Sequence, residues 1–202
     1  MMHINNLKKY YFINEFNYTH LINLNKNISF IWRNKDKETS IKTLTELRDF
    51  CKKNQRCFYI SNDIKLARKL NADGVYISSF NKNLNLKTTN LKKRFRILGS
   101  AHNLKEIKIK ELQKTEEIFL SPLFKKKTNQ QLNIFRYLKL RATTKMNDIS
   151  LGGINNKNLK KLNMIKPFGF AGITYFEQKK RPLFLGALIK LTNQMIRMQT
   201  RY

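Results

Sequence analysis

The stretch "SLGGINNKNL", residues 150–159, sets two of the chain's seven glycines side by side. Gly152 and Gly153 follow an apolar run and precede a polar segment that reads as a helix start. A backbone without Cβ atoms can bring its N–H groups against phosphate oxygens, and the N-terminus of the next helix adds its positive end. Further along, "AGIT" offers the hydroxyl of Thr174 to complete such a cradle. The competing reading is a tight strand-to-helix turn with no ligand. The run "KKK" at 125–127 is read first as a solvated loop and second as a phosphate clamp.

The overall charge narrows the class of partner. Lys and Arg number 41 against 13 Asp and Glu, a formal net charge of +28. Cations that displace phosphate counterions give nucleic-acid affinity without reading sequence. Here, however, the lysines run along the whole chain rather than gathering in one arm. There is no zinc-finger spacing and no RNA-binding aromatic motif, so nucleic acid is the lesser expectation. Small anionic substrates fit the same charge. Cys51 and Cys57 have no Cys/His set beside them for zinc and read as free thiols of a reducing cytosol. The segment "MMHINNLKKYYFINEF" lacks the apolar core of a signal peptide. No run approaches the ~18 apolar residues that span a bilayer. A cytoplasmic protein without a membrane segment is expected.

Short apolar runs must position these groups. Strands are predicted over 9–14, 28–34, 57–62, 74–79, 95–101, 117–124, 148–154 and 169–176, each rich in β-branched or aromatic residues and ending at turn formers. Between them lie helical patterns at 40–54, 63–71, 103–113, 133–145 and 155–165, with another at 184–199. In the first, Ser40 is the N-cap and Ile41, Leu44, Leu47 and Phe50 form one apolar stripe. Parallel strands joined by right-handed helical crossovers leave a closed barrel or an open doubly wound sheet. The expectation is an α/β fold, a single-domain (β/α)8 TIM barrel over 1–202, with a C-terminal amphipathic helical extension at 177–202. Such barrels commonly build a phosphate site after strands seven and eight, where Gly152, Gly153 and Thr174 fall.

Five ordered motifs then resemble a known family. "FIWRNK" (30–35), "YISNDIKLARKLNADGVYIS" (59–78), "GSAHN" (99–103), "FLSPLFKKKT" (119–128) and "SLGGINNKNL" are similar, in order and spacing, to the thiamine phosphate synthase and thiazole tautomerase superfamily of (β/α)8 barrels. The resemblance runs from about Phe30 to Phe176. It implies a transferase of thiamine biosynthesis: a pyrimidine loses its diphosphate and is captured by the nitrogen of a thiazole phosphate. It implies that Asn62 and Asp63 meet diphosphate and Mg2+, that Arg33 and Lys35 hold pyrimidine or diphosphate, and that Ser100 faces the diphosphate. Gly152, Gly153 and Thr174 would take the thiazole phosphate.

The chain departs from that pattern at several positions. Ile31 stands for a Gln, and Asn81 for the second magnesium carboxylate. Tyr76 stands for a His, and Ser78-Ser79 for Gly-Gln. Lys126 takes the place of a Thr and Asn129 that of a Lys, with Lys125 or Lys127 able to supply the charge. His102 occupies the place where the tautomerase branch moves a proton on a thiazole carboxylate phosphate, work that suits an imidazole and needs no metal. The alternative for His102 is a structural one, capping the helix that begins near Asn103. Two further readings therefore stand beside the transferase: a tautomerase-like isomerase, and a non-catalytic barrel that binds phosphorylated ligands or RNA.

Overall fold

The computed structural model describes residues 6–33, 39–86, 91–124 and 132–178. Within them eight parallel strands close into one barrel in chain order. They are β1 (Lys8–Ile13), β2 (Ile28–Trp32), β3 (Phe58–Ser61), β4 (Gly74–Ile77), β5 (Arg96–Ala101), β6 (Glu117–Leu120), β7 (Asn147–Leu151) and β8 (Gly169–Gly172). The ring is completed by β1 against β8, with Lys9 opposite Phe170 and Tyr10 opposite Ala171. Around it lie α1 (Tyr18–Ile22), α2 (Ile41–Lys53), α3 (Ile64–Lys69), α4 (Leu104–Leu112), α5 (Asn133–Arg141), α6 (Leu162–Ile165) and α7 (Thr174–Gln178). Asn17, Ser40, Asp63 and Asn103 cap α1 to α4 by accepting first-turn N–H groups. Leu44, Leu47 and Phe50 are buried as the stripe predicts, whereas Ile41 stays 48% exposed.

The strand cores match the apolar runs, but three strands stop three or four residues earlier than composition predicts. β6 ends at Leu120 because Pro122 has no N–H to continue a ladder. β7 ends at Leu151, before two glycines with positive φ, +97° at Gly152 and +69° at Gly153. β8 ends at Gly172. Thr174, expected on that strand, instead opens α7, where the Phe176 and Glu177 N–H groups both donate to Ile173 O and the turn buries Tyr175 and Phe176. The segment 155–165 divides into a 3-10 turn (Leu159–Lys161) and α6. The pattern at 133–145 is helical only to Arg141, and α1 is a helix that composition did not indicate. The helix expected at 184–199 lies outside the described residues.

Alternation along each strand sends one set of side chains into the lumen and the other beneath the helices. Tyr10, Phe12, Ile31, Tyr59, Tyr76, Leu98, Phe119, Ile149 and Ala171 fill the lumen as one cluster. Its rings meet edge-on, with Tyr10 and Phe119 centroids 5.0 Å apart, Phe12 and Tyr76 5.1 Å, and Tyr76 and Phe119 5.2 Å. The lumen is thus filled by aromatic packing, and a cavity opens above it. Outside, the Tyr137 hydroxyl donates to Asp148 Oδ2 (2.8 Å) and accepts from Ser150 Oγ (2.9 Å), pinning α5 to β7.

The N-terminal end of the lumen is tied by one carboxylate. Glu117, its side chain 1% exposed, accepts from Lys8 Nζ at 2.6 Å, Arg96 Nη1 at 3.0 Å and the Tyr10 hydroxyl at 2.6 Å. Three strands, β1, β5 and β6, therefore share one buried charge. Glu117→Ala leaves Lys8, Arg96 and Tyr10 without their common acceptor and lowers the unfolding free energy by about 3 kcal/mol. Urea denaturation followed by circular dichroism measures it, and a change below about 1 kcal/mol would contradict this account.

Candidate functional site

Above the aromatic layer, the C-terminal ends of the strands surround a cavity of about 1290 Å3. Its lining brings together Arg33, Asn62, Asp63, Ser100, His102, Gly152, Gly153 and Thr174, from the ends of β2, β3, β5, β7 and β8. Of the residues singled out from sequence, Asn81 is absent from that lining. Lys35 and Lys126, with Lys125, Lys127 and Asn129, lie outside the described residues.

Arg33 sits one residue beyond β2, where its N–H donates to Ile13 O (2.9 Å). Its guanidinium lies 5.7 Å from the centroid of the Phe12 ring, a cation held over the aromatic floor. Tyr76 occupies that floor. Burial pushes its phenol up to about 12, against the opposing pull of a Ser100 hydrogen bond and the Arg33 charge, so it is a neutral hydroxyl at ordinary pH. Asn62 has φ +59° and joins β3 to β4: its Nδ2 donates to Ser78 Oγ (2.8 Å) and its Oδ1 accepts from Ser78 N (2.8 Å). Both ends of this amide are already engaged within the protein.

The Mg2+ implied by the motifs can be tested against these donors. Asp63 Oδ1 accepts the Leu66 N–H at 2.8 Å as the cap of α3. Asn81 Oδ1 accepts the Asn83 N–H at 3.1 Å and turns within its own loop. Among the described residues no group of three or more His, Cys, Asp or Glu side chains is placed to hold a metal. Mg2+ needs near-octahedral oxygen donors and binds through carboxylates, waters and substrate phosphates. One helix-capping carboxylate does not fit a resident ion.

His102 is held by a residue that the motif reading did not single out. Glu106 Oε2 accepts from the His102 backbone N–H (2.7 Å) and lies 2.9 Å from His102 Nδ1. Its Oε1 accepts from Asn103 Nδ2 (3.0 Å), and Asn103 Oδ1 accepts the Glu106 N–H (3.0 Å). Asn103, not His102, caps α4, and the Glu106 carboxylate reaches back to the Asn103 side chain, the His102 backbone N–H and the imidazole together. A carboxylate accepts only, so the proton is assigned to Nδ1, and Nε2 of the neutral ring is left as an acceptor. The signal was present in "HNLKE" as Asn-x-x-Glu following a strand.

The two glycines have an explanation inside the protein. A Cβ on Gly152 would lie 2.8 Å from Pro122 Cα, and one on Gly153 2.7 Å from Phe124 O. The β6 loop runs directly against them: Leu123 N donates to Leu151 O (2.9 Å) and Phe124 N to Gly152 O (3.1 Å). What comes close to this backbone is the neighbouring loop. The bare peptides nonetheless line the cavity on their other side.

With this geometry in view, comparison with known proteins gives a consistent result. A family model described as thiamine monophosphate synthase matches residues 24–176. A thiamine-phosphate synthase of Pelagibacter ubique is 28% identical over 172 residues, covering 81% of this chain and 83% of that protein. One of Prochlorococcus marinus is 30% identical over 125 residues, which is 59% of this chain but only 36% of the relative's length. Among solved structures, thiamine phosphate pyrophosphorylase from Pyrococcus furiosus aligns with a TM-score of 0.64 at 16% identity, over 84% of this chain and 87% of that one. That last likeness is one of fold.

Two outcomes follow from the site's geometry. Gly152→Ala forces a Cβ into Pro122 at a left-handed φ and destabilises the protein by about 1–3 kcal/mol, read as a lowered Tm; an unchanged Tm would refute the packing account. Mn2+ added to the ligand-free chain gives no saturable titration by electron paramagnetic resonance, and saturation at micromolar ion would show that a resident site exists after all.

Proposed function

The chain belongs to the thiamine monophosphate synthase family, and from that premise we propose that its cavity joins a hydroxymethylpyrimidine diphosphate to a thiazole phosphate. In this reading the carbon–oxygen bond to the diphosphate breaks, the thiazole nitrogen forms the new carbon–nitrogen bond, and pyrophosphate leaves. The observation that carries it is the sharing of one cavity by two polar groups of residues. Arg33, Asp63 and Ser100 come from β2, β3 and β5, while Gly152, Gly153 and Thr174 come from β7 and β8.

Charge grows on the leaving pyrophosphate as the bond breaks, and a fixed cation in a site screened from water stabilises it strongly. Arg33, over the Phe12 ring, is assigned that role, with Ser100 donating to the same group. Lys35 and Lys126 are assigned to the diphosphate on the motif resemblance. The aromatic floor of Phe12 and Tyr76 gives the pyrimidine an apolar surface. The peptides of Gly152 and Gly153, with the Thr174 hydroxyl at the start of α7, are assigned to the thiazole phosphate. Asn62 acts through Ser78, setting β3 and β4 at the mouth rather than touching substrate. Because Asp63 and Asn81 do not fit a resident ion, a divalent cation enters this reading as the magnesium salt of the diphosphate substrate. A cytoplasmic location is part of the same proposal, consistent with the lack, among the described residues, of any helix long and apolar enough to cross a membrane.

A second reading has an observation of its own. His102 lines the cavity with Nδ1 held by Glu106, the arrangement of a proton acceptor oriented by a carboxylate. A tautomerase-like isomerisation of a thiazole carboxylate phosphate would use it and would need no metal.

The experiment supplies the purified chain with both substrates and Mg2+ and follows pyrophosphate. The transferase reading expects turnover, and expects Arg33→Ala to lower kcat/KM about a hundredfold, about 2.7 kcal/mol of transition-state stabilisation. No pyrophosphate, together with isomerase activity that ignores EDTA and is lost in His102→Ala, would replace it with the second reading. Binding of RNA with steep salt dependence, and of neither substrate, would leave a non-catalytic barrel.

A further inference from the structure

The described residues between β4 and β5 hold no helix, yet Ser78, Ser79 and Phe80 of this crossover line the cavity. What holds them comes from outside the barrel. Lys110, in the last turns of α4, is a lysine with no exposed surface. Its stem crosses β5 where Gly99 has no side chain: a Cβ there would lie 2.9 Å from Lys110 Cδ and 2.8 Å from Thr115 Cγ2. Its Nζ then donates to Ser78 O (2.9 Å), Asn81 O (2.8 Å) and Gln113 Oε1 (2.7 Å). Gln113, also buried, donates in turn to Asn81 O (3.0 Å) and Asn83 O (2.9 Å). Thr115 Oγ1 donates to Lys110 O (3.0 Å), fixing the end of α4.

An ammonium buried on neutral acceptors is expensive, and an apolar residue of the same shape would fill the space at lower cost. Burial pushes this amine down to about 8, opposed by Glu106, so it remains charged at neutral pH. All three of its protons are directed to oxygens, and two of those belong to the crossover's backbone. We propose that Lys110, with Gln113, is a positioning residue that latches the β4–β5 crossover from behind and thereby sets Ser78–Phe80 against the cavity for the anionic ligand. The latch holds the described part of this crossover, in which no helix is found, from the neighbouring α4. It acts through main-chain atoms, so its effect reaches the ligand without Lys110 entering the cavity. The inference rests on the reading of this cavity as the ligand site.

The test uses the full chain and Lys110→Met, which keeps the stem and removes the donors. Hydrogen exchange is measured over 78–86, and affinity for inorganic pyrophosphate with Mg2+ is measured by calorimetry. The latch predicts faster exchange confined to that segment and a Kd about tenfold weaker, with the circular dichroism spectrum retained. Gly99→Ala, which keeps the ammonium but displaces its stem, moves both readouts the same way and serves if Lys110→Met does not fold. Unchanged exchange at 78–86 overturns the proposal, as does faster exchange with unchanged affinity. Failure of the unmutated chain to bind pyrophosphate counts against the transferase reading instead, and the latch is then decided by the exchange result alone.

Discussion

Closing eight short strands into a ring leaves a lumen only a few side chains deep, and everything at the mouth depends on how that lumen is filled. Tyr10, Phe12, Tyr59, Tyr76 and Phe119 occupy it with large rings in edge-on contact. Filling the bottom in this way forces any bound molecule to the C-terminal end of the strands. It also gives that molecule an apolar floor, over which Arg33 is the adjacent cation. At the opposite end Glu117 gathers the charges of Lys8 and Arg96 and accepts the Tyr10 hydroxyl at the base of the aromatic layer.

The mouth itself is built from groups with two duties. Asp63 caps a helix and lines the cavity; Gly152 and Gly153 admit the β6 loop and also line the cavity; Glu106 ties back the start of α4 and holds His102. With Asn at position 81, the segment turns back on itself and is anchored through its carbonyl instead of contributing a ligand. Arg33, the Gly152 and Gly153 peptides and the Ser100 and Thr174 residues line the same cavity.

Much of the fold was legible because strand cores are apolar runs whose composition differs from the amphipathic segments between them. The strand ends were not. "GFAGITYF" reads as one β-rich run, but whether its second half continues the strand is decided by what it can bury, and Tyr175 and Phe176 bury better as one turn of helix against the barrel. The glycine pair pointed to the mouth for an incomplete reason: close approach was correctly inferred, but the approaching atoms are Pro122 and Phe124. His102 was visible as a motif residue. Glu106, four residues on, looked like one more surface carboxylate on a helix, because only the turn from strand to α4 brings its oxygen to the imidazole. Lys110 was invisible for the same reason, one lysine among many until the topology lays it across β5.

The steric relation between positions 99 and 110 also bears on what each position can hold. A side chain on β5 at this point crowds the stem of the long amine, so the two positions are sterically coupled. A strand position without a side chain leaves the room that the long cation on the helix occupies. A Val or Ile at the strand position would crowd the path further and favour a shorter residue on the helix. One missing methyl group thus gives the long amine its route to the barrel's fourth connection.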